Sequence, residues 1–326
     1  MACGPDRAAW NFSGKDDGCS GGRVFSARGT PFVAPRSRQG KRRKVPAVFL
    51  KGSGVSVILK NAARAFCRAL YQESMRRLCM SKVTLVYFSP TGNTEKSLKA
   101  MARGLRAEAD VVDVTTDAST DIVRFRENDR VIFGAPVYVG RIPTVARERL
   151  ARFRGVQTPC IVTVTYGNRH YDDALLELAD MAREQGFVVV GAAALVGRHT
   201  FGEIQVDRPD GDDLAADGEF AARAFSLARE VKDIPGNRPY REGGGGGKFR
   251  PLTSEECVHC GLCVKLCPVH AIADDCETVA DTCLSCFRCI RRCPKGAKNM
   301  DTEAYRGFAS AFSEKLKARR ENEYYC

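Results

Sequence analysis

Residues 82–94 read KVTLVYFSPTGNT, and this stretch decides the fold of the main part of the chain. Residues 83–88 form a largely apolar run, which predicts a buried β-strand. The loop SPTGNT follows, and a helical pattern extends from residue 95 to residue 107. A buried strand, a polar loop and a helix in this order are typical of the first unit of a parallel α/β sheet.

The alternation of strands and helices continues as far as residue 231. Further strands are predicted at 111–114, 131–133, 160–165 and 187–196, and further helices at 143–153, 171–185 and 213–231. The strands are apolar runs without a polar face, which indicates burial on both sides of a parallel sheet. We therefore expect an α/β fold of the doubly wound type, with five parallel strands and helices on both faces.

The loop of residues 89–94 has the composition of a phosphate site. It lies between a strand and a helix, where free backbone N–H groups and the positive end of the helix dipole favour an anion. The candidate ligands are Ser89, Thr91, Gly92, Asn93 and Thr94. Because the loop contains no lysine, a monophosphate fits it better than a nucleoside triphosphate. The alternative is an ordinary helix N-cap.

A second chemical signal is the pair of segments CVHCGLCVKLCP at 257–268 and CLSCFRCIRRCP at 283–294. Both have the spacing CxxCxxCxxxCP, which is typical of two [4Fe-4S] clusters in which the fourth cysteine of each motif binds the other cluster. One predicted ligand set is Cys257, Cys260, Cys263 and Cys293, and the other is Cys283, Cys286, Cys289 and Cys267. Structural zinc is the alternative, although zinc ligands usually form two CxxC pairs separated by a loop.

The net charge of +12 comes entirely from the N-terminal part of the chain. Residues 1–80 contain 16 Lys and Arg against 4 Asp and Glu, whereas residues 81–326 contain 35 of each. Residues 80–326 thus lack the positive field expected of a nucleic-acid-binding protein. No apolar run approaches the roughly 18 residues of a membrane span. Because cluster cysteines need a reducing compartment, we expect a cytoplasmic protein.

Composition divides the chain into five parts. Residues 1–79 are basic and predict disorder, and an over-extended start, a targeting extension and a basic tether are all open explanations. The α/β domain spans 80–233, and a glycine-rich linker spans 234–253, which we expect to have no fixed backbone and to pack against nothing. The cluster module spans 254–300. Residues 301–326 form a tail whose predicted helix, 302–320, covers that module.

The segment SPTGNT after VTLVYF resembles the FMN-phosphate loop of flavodoxins, and the resemblance extends over about residues 82–232. Two later loops, GAPVYVGR at 134–141 and TYGNR at 165–169, match by position the flavodoxin loops that enclose the isoalloxazine ring. The resemblance implies that Tyr138 and Tyr166 stack on the ring and that Gly140 and Gly167 pass close to its edge. The other implied cofactor-binding residues are Pro136, Val137, Val139 and Asn168. Either tyrosine is also compatible with an ordinary strand-end residue.

The cysteine segments resemble bacterial-type two-cluster ferredoxins, and residues 82–320 together resemble ferredoxins that carry an N-terminal flavodoxin domain. This resemblance implies a protein that relays electrons between two [4Fe-4S] clusters and FMN, and on to redox partner proteins. One alternative is a flavin reductase with its own small substrate, with Tyr138, Tyr166 or Arg141 as proton donor. Another is an iron–sulfur sensor that uses the basic N-terminus. The sequence leaves the oligomeric state open.

Overall fold

The computed structural model describes residues 82–326. The prediction of a disordered basic extension over residues 1–79 lies outside the described residues. In chain order, the described strands and helices are β1 Val83–Tyr87, α1 Asn93–Gly104, β2 Ala109–Asp113, β3 Val123–Arg124, β4 Val131–Pro136, α2 Thr144–Leu150, β5 Phe153–Arg154, β6 Thr158–Tyr166, α3 Ala174–Glu184, β7 Phe187–Val196, α4 Gly211–Leu227, β8 Leu252–Thr253, α5 Leu262–Leu266, α6 Arg288–Arg292, β9 Lys298–Asn299, α7 Glu303–Lys315 and β10 Glu323–Tyr325.

Five of these strands form one parallel sheet in the order β2-β1-β4-β6-β7. This arrangement confirms the predicted doubly wound α/β fold. The chain passes from β1 to β2 on one side and then to β4 on the other. In sheets of this kind, ligands bind in the crevice at the carboxyl ends of the strands where the order reverses. The fold therefore directs attention to the loops that follow β1 and β4.

The sheet is buried on both faces, as its continuous apolar strands predict. Alternate residues of β1 belong to different core clusters, with Val86 in one and Leu85 in the other. In the first cluster, the ring of Phe133 lies edge-on to those of Phe153 and Phe187, with centroids 6.1 and 5.0 Å away. Two apolar layers thus hold helices on opposite faces of the sheet.

Most predicted helices end within a few residues of the observed ones. Helix α2 stops at Leu150, before the predicted residue 153, because Phe153 belongs to β5. Helix α4 stops at Leu227, before the predicted residue 231, and Ala228 takes a left-handed conformation with φ of 46°. Among the helices of residues 82–326, none combines the length and apolar character needed to cross a membrane.

A sixth strand, which the sequence pattern does not predict, extends the sheet at its β7 edge. Strand β10 pairs antiparallel with β7, with Tyr324 opposite Ala193. The Tyr324 hydroxyl donates to Asp217 Oδ1 in α4 at 2.8 Å, and the Tyr171 hydroxyl donates to Glu323 Oε2 at 2.7 Å. Three residues at the end of a polar tail carry no periodic signal. The pairing with β7 and the two hydrogen bonds to the rest of the domain specify this strand.

The glycine-rich segment of residues 243–247 is packed, in contrast to the expectation that it would contact nothing. Gly244 donates its N–H to the Tyr138 carbonyl at 2.9 Å, and its own carbonyl accepts the N–H of Thr144 at 3.1 Å. A Cβ at Gly246 would lie 2.4 Å from the carbonyl oxygen of Cys283. Because glycine has no side chain, this segment allows close backbone packing between the α/β domain and the cluster module.

The cluster module consists of the short helices α5 and α6 and the antiparallel pair β8 and β9. Its apolar core is small and contains Ala271 and Ile272 together with Cys267 and Cys283. A core of this size gives little stability by itself. Bonds from the cysteine thiolates to metal are therefore expected to supply much of the folding free energy of the module.

Helix α7 is shorter than the predicted helix of residues 302–320, and it does more than cover the cluster module. The Thr302 hydroxyl caps the helix by accepting the N–H of Tyr305 at 3.1 Å. Phe308 and Phe312 stack with ring centroids 5.1 Å apart, and Phe312 lies 5.1 Å from the ring of His199 in the α/β domain. The helix thus packs its aromatic face against the domain that precedes the module.

Gly104→Ala is expected to destabilise the protein, because α1 and α4 touch at this position. A Cβ at Gly104 would lie 2.2 Å from the carbonyl oxygen of Gly218. We expect a loss of about 1–3 kcal/mol in the free energy of unfolding, measured by anaerobic denaturant titration followed by circular dichroism. The control is Gly307→Ala in α7, where a Cβ meets nothing within 4 Å and a gain of about 0.5–1 kcal/mol is expected. Equal stability of the two variants would contradict the close helix contact.

Asp217→Asn is expected to stabilise the protein increasingly as the pH rises. Burial raises the pKa of Asp217 to about 7, against the opposing hydrogen bond from Tyr324. Since this value lies above that of the unfolded chain, the protonated carboxyl stabilises the fold at low pH, and this contribution is lost as the pH rises through 7. The variant should gain about 1–2 kcal/mol over the wild type between pH 5 and pH 7, measured by denaturant titration at each pH. A difference in the free energy of unfolding between Asp217→Asn and the wild type that does not change with pH would contradict the buried charge.

Candidate functional site

A cavity opens at the carboxyl edge of the sheet, the place where open α/β sheets bind small molecules. It lies beside the ends of β1, β4 and β6, close to the reversal of strand order. The predicted residues that line it are Ser89, Thr91, Asn93, Thr94, Pro136, Val137, Tyr138, Val139, Tyr166 and Gly167. We call it the flavin cavity, after the cofactor that the sequence resemblance predicts there.

The polar side chains of the 89–94 loop mostly stabilise the loop itself. The Ser89 hydroxyl accepts the N–H of Glu95 at 3.1 Å, and the Thr94 hydroxyl is hydrogen-bonded to a threonine of β6 at 2.6 Å. Asn93 Nδ2 donates to the carbonyl oxygen of Arg198 at 2.9 Å. These three side chains fix the shape of the loop, a role that the sequence did not predict.

The backbone N–H groups of residues 91–94 are the donors that remain. Gly92 precedes α1 with φ of 88°, a left-handed conformation that suits glycine, although Gly92 itself does not line the cavity. Within residues 82–326, no hydrogen bond uses the N–H groups of residues 91–94 or the hydroxyl of Thr91. Free N–H groups at the start of a 12-residue helix form a site for an anion. The loop therefore fits a phosphate mainly through its backbone.

Both predicted tyrosines line the flavin cavity. Tyr166 is 4% exposed, and its hydroxyl is buried without a hydrogen-bond partner in the part of the chain that the structure describes. Burial raises the pKa of Tyr166 to about 12, so the phenol keeps its proton at neutral pH. A buried hydroxyl without a partner at a cavity wall fits the polar edge of a bound ring. Tyr138 is half-buried, in a turn closed by backbone bonds of 2.8 and 3.2 Å with Arg141.

Gly140 and Asn168 lie outside the cavity, in contrast to what the resemblance implies. Gly140 has φ of 82°, and a Cβ there would lie 2.3 Å from Asp172 Oδ2. The amide of Asn168 donates to the carbonyl oxygens of Leu316 and Ala318, each at 2.7 Å. Gly140 therefore serves a turn, and Asn168 anchors the C-terminal segment.

Besides Pro90 and Thr165, which belong to the predicted loops, eight further residues line the cavity without having been predicted. They are Arg198, His199, Thr200, Phe201, Gly245, Gly247, Leu284 and Ser285. The first four follow β7, and the rule that ligands bind at the carboxyl edge of such a sheet was sufficient to indicate them. The last four come from the glycine-rich segment and the second cysteine motif. No local signal indicates these, because their place depends on how the cluster module packs.

His199 is held beside Gly167 at the cavity wall. Its Nδ1 accepts a hydrogen bond from the N–H of Phe201 at 2.8 Å, and burial lowers the pKa of His199 to about 4. The imidazole is therefore neutral at neutral pH. A Cβ at Gly167 would lie 2.1 Å from the His199 ring, so the close approach that the resemblance implies for Gly167 is made by this histidine.

Two smaller cavities bring together the eight motif cysteines in two sets of four. The outer cavity is lined by Cys257, Cys260, Cys263 and Cys293, and the inner cavity by Cys267, Cys283, Cys286 and Cys289. Each set combines three cysteines of one motif with the fourth of the other. Within residues 82–326, no three His, Cys, Asp or Glu side chains converge as they would around a single metal ion. Four thiols around an open space are a donor set that fits a [4Fe-4S] cluster.

Backbone N–H groups are directed at several of these sulfurs. Ala271 donates to Cys267 Sγ at 3.2 Å, and Ser285 donates to Cys283 Sγ at 3.4 Å. Burial disfavours the thiolate of Cys293, but the N–H groups of residues 295–298 outweigh it and lower its pKa. Such donors stabilise thiolate ligands and tune the reduction potential of a cluster.

A fifth cysteine, Cys276, also lines the outer cavity. It is 1% exposed, and its thiol lies 3.8 Å from the carbonyl oxygen of Asp274. The motif spacing does not include it. Cys276 therefore belongs to the surroundings of the outer cavity and to neither set of four.

The outer and inner cavities differ in their exposure to solvent. Cys260 is exposed at the outer cavity, where the neighbouring Val258 is 58% exposed. At the inner cavity, Cys283 and Cys286 are buried. Leu284, which stands between them, lines both the inner cavity and the flavin cavity, as does the adjacent serine. The inner cavity therefore adjoins the flavin cavity, and the outer cavity faces solvent.

Arginine side chains connect the cluster module with the α/β domain. Arg288 of α6 is buried and donates to the carbonyl oxygens of Pro90 at 3.0 Å and Ser89 at 3.3 Å. Arg149 of α2 donates to the carbonyl oxygen of Pro268 at 2.7 Å, directly after the last cysteine of the first motif. These bonds fix the inner cavity relative to the 89–94 loop.

Models of protein families match three segments of the chain. A flavodoxin domain matches residues 84–153, and two 4Fe-4S binding domains match residues 252–273 and 283–297. These segments contain the 89–94 loop and all eight motif cysteines. None of the curated proteins matches this chain.

The solved structures to which the chain is similar include three flavodoxins. A flavodoxin from the domain Archaea is 17% identical, covers 45% of this chain and 99% of its own, and has a TM-score of 0.34. The flavodoxin of Streptococcus pneumoniae TIGR4 is 21% identical, with coverages of 46% and 100% and a TM-score of 0.33. The flavodoxin of Fusobacterium nucleatum bound to flavin mononucleotide is 13% identical, with coverages of 46% and 99% and a TM-score of 0.34.

Pairs of cysteine variants test the crossed ligand sets. Cys260→Ala combined with Cys293→Ala is expected to remove one cluster and leave about four irons per chain, because both residues line the outer cavity. Cys260→Ala combined with Cys267→Ala is expected to remove both clusters. Iron and sulfide analysis after anaerobic purification measures the outcome. Cys160→Ala, which removes a buried thiol from β6, is the control and should keep about eight irons. The opposite result for the two pairs would mean that each motif holds its own cluster.

Proposed function

Because this chain joins a flavodoxin domain, whose cofactor is FMN, to two 4Fe-4S ferredoxin motifs, we propose that it relays single electrons between a redox partner protein and the flavin cavity through the outer and inner cavities. FMN supplies both one-electron and two-electron chemistry when bound, whereas clusters exchange one electron at a time. The electron-transfer role follows from the domains themselves. What we propose is the order of the sites along the electron path and the place at which the partner protein binds.

The wall shared by the inner cavity and the flavin cavity is the observation that carries this proposal. Leu284 and Ser285 line both cavities, and they stand between two cysteines of the inner set. The Ser285 hydroxyl donates to the carbonyl oxygen of Gly247 at 2.9 Å, which holds this wall against the glycine-rich segment. A wall two residues long keeps the two sites close, which suits transfer of electrons between them.

The exposure of the outer cavity supports its role as the contact point for a partner protein. Cys260 and Val258 are exposed, whereas the inner cysteines are buried and the flavin cavity is partly covered by the cluster module. A protein that exchanges electrons at the molecular surface therefore reaches the outer set first. The proposed units are the α/β domain of residues 80–233 and the cluster module of residues 254–300, with residues 234–253 packed between them.

The reductase alternative loses one of its predicted proton donors. Two nitrogens of the Arg141 guanidinium, Nε and Nη2, donate to the Glu177 carboxylate at 2.7 and 2.6 Å, and the guanidinium lies 4.6 Å from the centroid of the Tyr240 ring. Arg141 does not line the flavin cavity. The sensor alternative depends on basic residues outside the described part of the chain. The other two predicted donors of the reductase alternative, Tyr138 and Tyr166, line the flavin cavity and stay candidates.

Reduction of the bound flavin by a protein donor tests the proposed order of sites. A two-cluster ferredoxin, reduced with dithionite and freed of excess reductant, is mixed anaerobically with the protein, and bleaching of the flavin is followed by stopped-flow absorbance. Cys260→Ala is expected to slow this bleaching by about 10-fold or more, since it removes the outer cluster. Direct photochemical reduction of the flavin should proceed equally in the variant and the wild type.

Two outcomes decide between the possibilities. If Cys260→Ala accepts electrons from the donor as fast as the wild type, the donor reaches the flavin directly and the proposed order is wrong. If Cys160→Ala, the control, behaves as the wild type while Cys260→Ala is slow, the outer cavity is the contact point.

A further inference from the structure

A cationic residue, Arg198, shares a cavity with the free N–H groups of the 89–94 loop. Arg198 follows β7 and lines the flavin cavity together with the loop. Its carbonyl oxygen accepts Asn93 Nδ2 at 2.9 Å, and a Cβ at Gly197 would lie 2.8 Å from the same nitrogen. The backbone of residues 197–198 is thus held in contact with the start of α1. Its position follows from the packing of the fold, although the loop itself contains no Lys or Arg.

The guanidinium of Arg198 has no strong partner within the described residues. Its Nε is buried without a hydrogen bond, and its closest carboxylate oxygens are those of Glu203, at 3.4 and 3.5 Å. These distances lie at or beyond the usual limit for an N–H···O bond, and the Glu203 side chain is 76% exposed. A guanidinium carries five N–H donors, so most of its bonding capacity is available to a ligand.

The charges around this position favour an incoming anion. Arg291 of the cluster module donates to the His199 carbonyl at 3.2 Å, and burial and then the charge of Arg198 lower the pKa of Arg291. Two like charges therefore lie near each other, one of them on a residue that lines the cavity, with the single carboxylate of Glu203 close to both, so that the net charge of the three groups is positive. Glu95, in the first turn of α1, is paired with Lys99 at 2.6 Å and does not neutralise them. An anion between the free N–H groups and Arg198 would relieve this repulsion.

We propose that Arg198 binds the phosphate group of FMN with a charge-assisted hydrogen bond, in addition to the N–H groups of residues 91–94. This inference rests on the proposed function, in which FMN occupies the flavin cavity. It gives the phosphate site of this chain a positive charge that comes from the loop after β7. The consequence is discrimination: the site favours a phosphorylated flavin over riboflavin, which has the same ring system and no phosphate.

Binding of FMN and riboflavin to Arg198→Gln tests the proposal. Protein that keeps its clusters but has been freed of flavin is dialysed to equilibrium against each flavin under anaerobic conditions. The variant is expected to bind FMN about 10- to 100-fold more weakly than the wild type, the size of effect typical of hydrogen bonds to charged groups. Its affinity for riboflavin should be unchanged, because riboflavin makes no contact with the guanidinium. Arg223→Gln, at an exposed position of α4, is the control and should change neither affinity.

The two ligands separate a role in phosphate binding from a role in folding. Equal weakening of FMN and riboflavin in Arg198→Gln would mean that the residue supports the cavity and would overturn the proposal. Unchanged FMN binding in the variant would overturn it as well. Failure of the wild type to bind either flavin would instead refute the proposed function.

Discussion

The hydrogen bonds from Arg288 to the 89–94 loop are the constraint on which the arrangement of sites depends. The arginine stands directly before Cys289 of the inner set, and its guanidinium is bonded to the carbonyl oxygens of Ser89 and Pro90. Because the donor is charged and buried, loss of these bonds would leave groups that water cannot reach. The position of the inner cavity is therefore linked to the shape of the phosphate loop through one side chain. The inner cavity and the flavin cavity, which belong to different modules of the sequence, are therefore adjacent in the structure.

The residues between the cysteines of the second motif have two roles. Their spacing lets Cys283 and Cys286 bind the same cluster. The two intervening residues also form the wall of the flavin cavity, where Ser285 is bonded to the glycine-rich segment. A motif that usually specifies only metal ligands thus also contributes to the cavity in which we propose that a second cofactor binds. Glycines stand opposite this wall because the space there admits backbone and no side chain.

Sequence was sufficient where the signal is local, and it was insufficient where a contact joins distant segments. Apolar runs identified the strands, and the position of SPTGNT after the first strand predicted a loop with free backbone N–H groups that fits an anion, because both depend on neighbouring residues. Asn168 was misassigned because its amide bonds Leu316 and Ala318, about 150 positions away. The place of Arg198 in the cavity wall had no signal in the sequence, because its loop approaches α1 only after the sheet has formed. The glycine-rich segment has a composition that suits both a free linker and a tightly packed backbone, and only its neighbours distinguish them.

The return of the chain to the sheet at β10 changes the mechanical character of the cluster module. Gly244 is bonded to the α/β domain before the module begins, and Glu323 is paired with β7 after it ends. The module is therefore a closed loop with both ends attached to the same body, and it has no free end about which to swing. A carrier on a single tether searches for its acceptor by diffusion, whereas here the separations between redox sites are set once, when the protein folds. What varies from one encounter to the next is the approach of the outside partner.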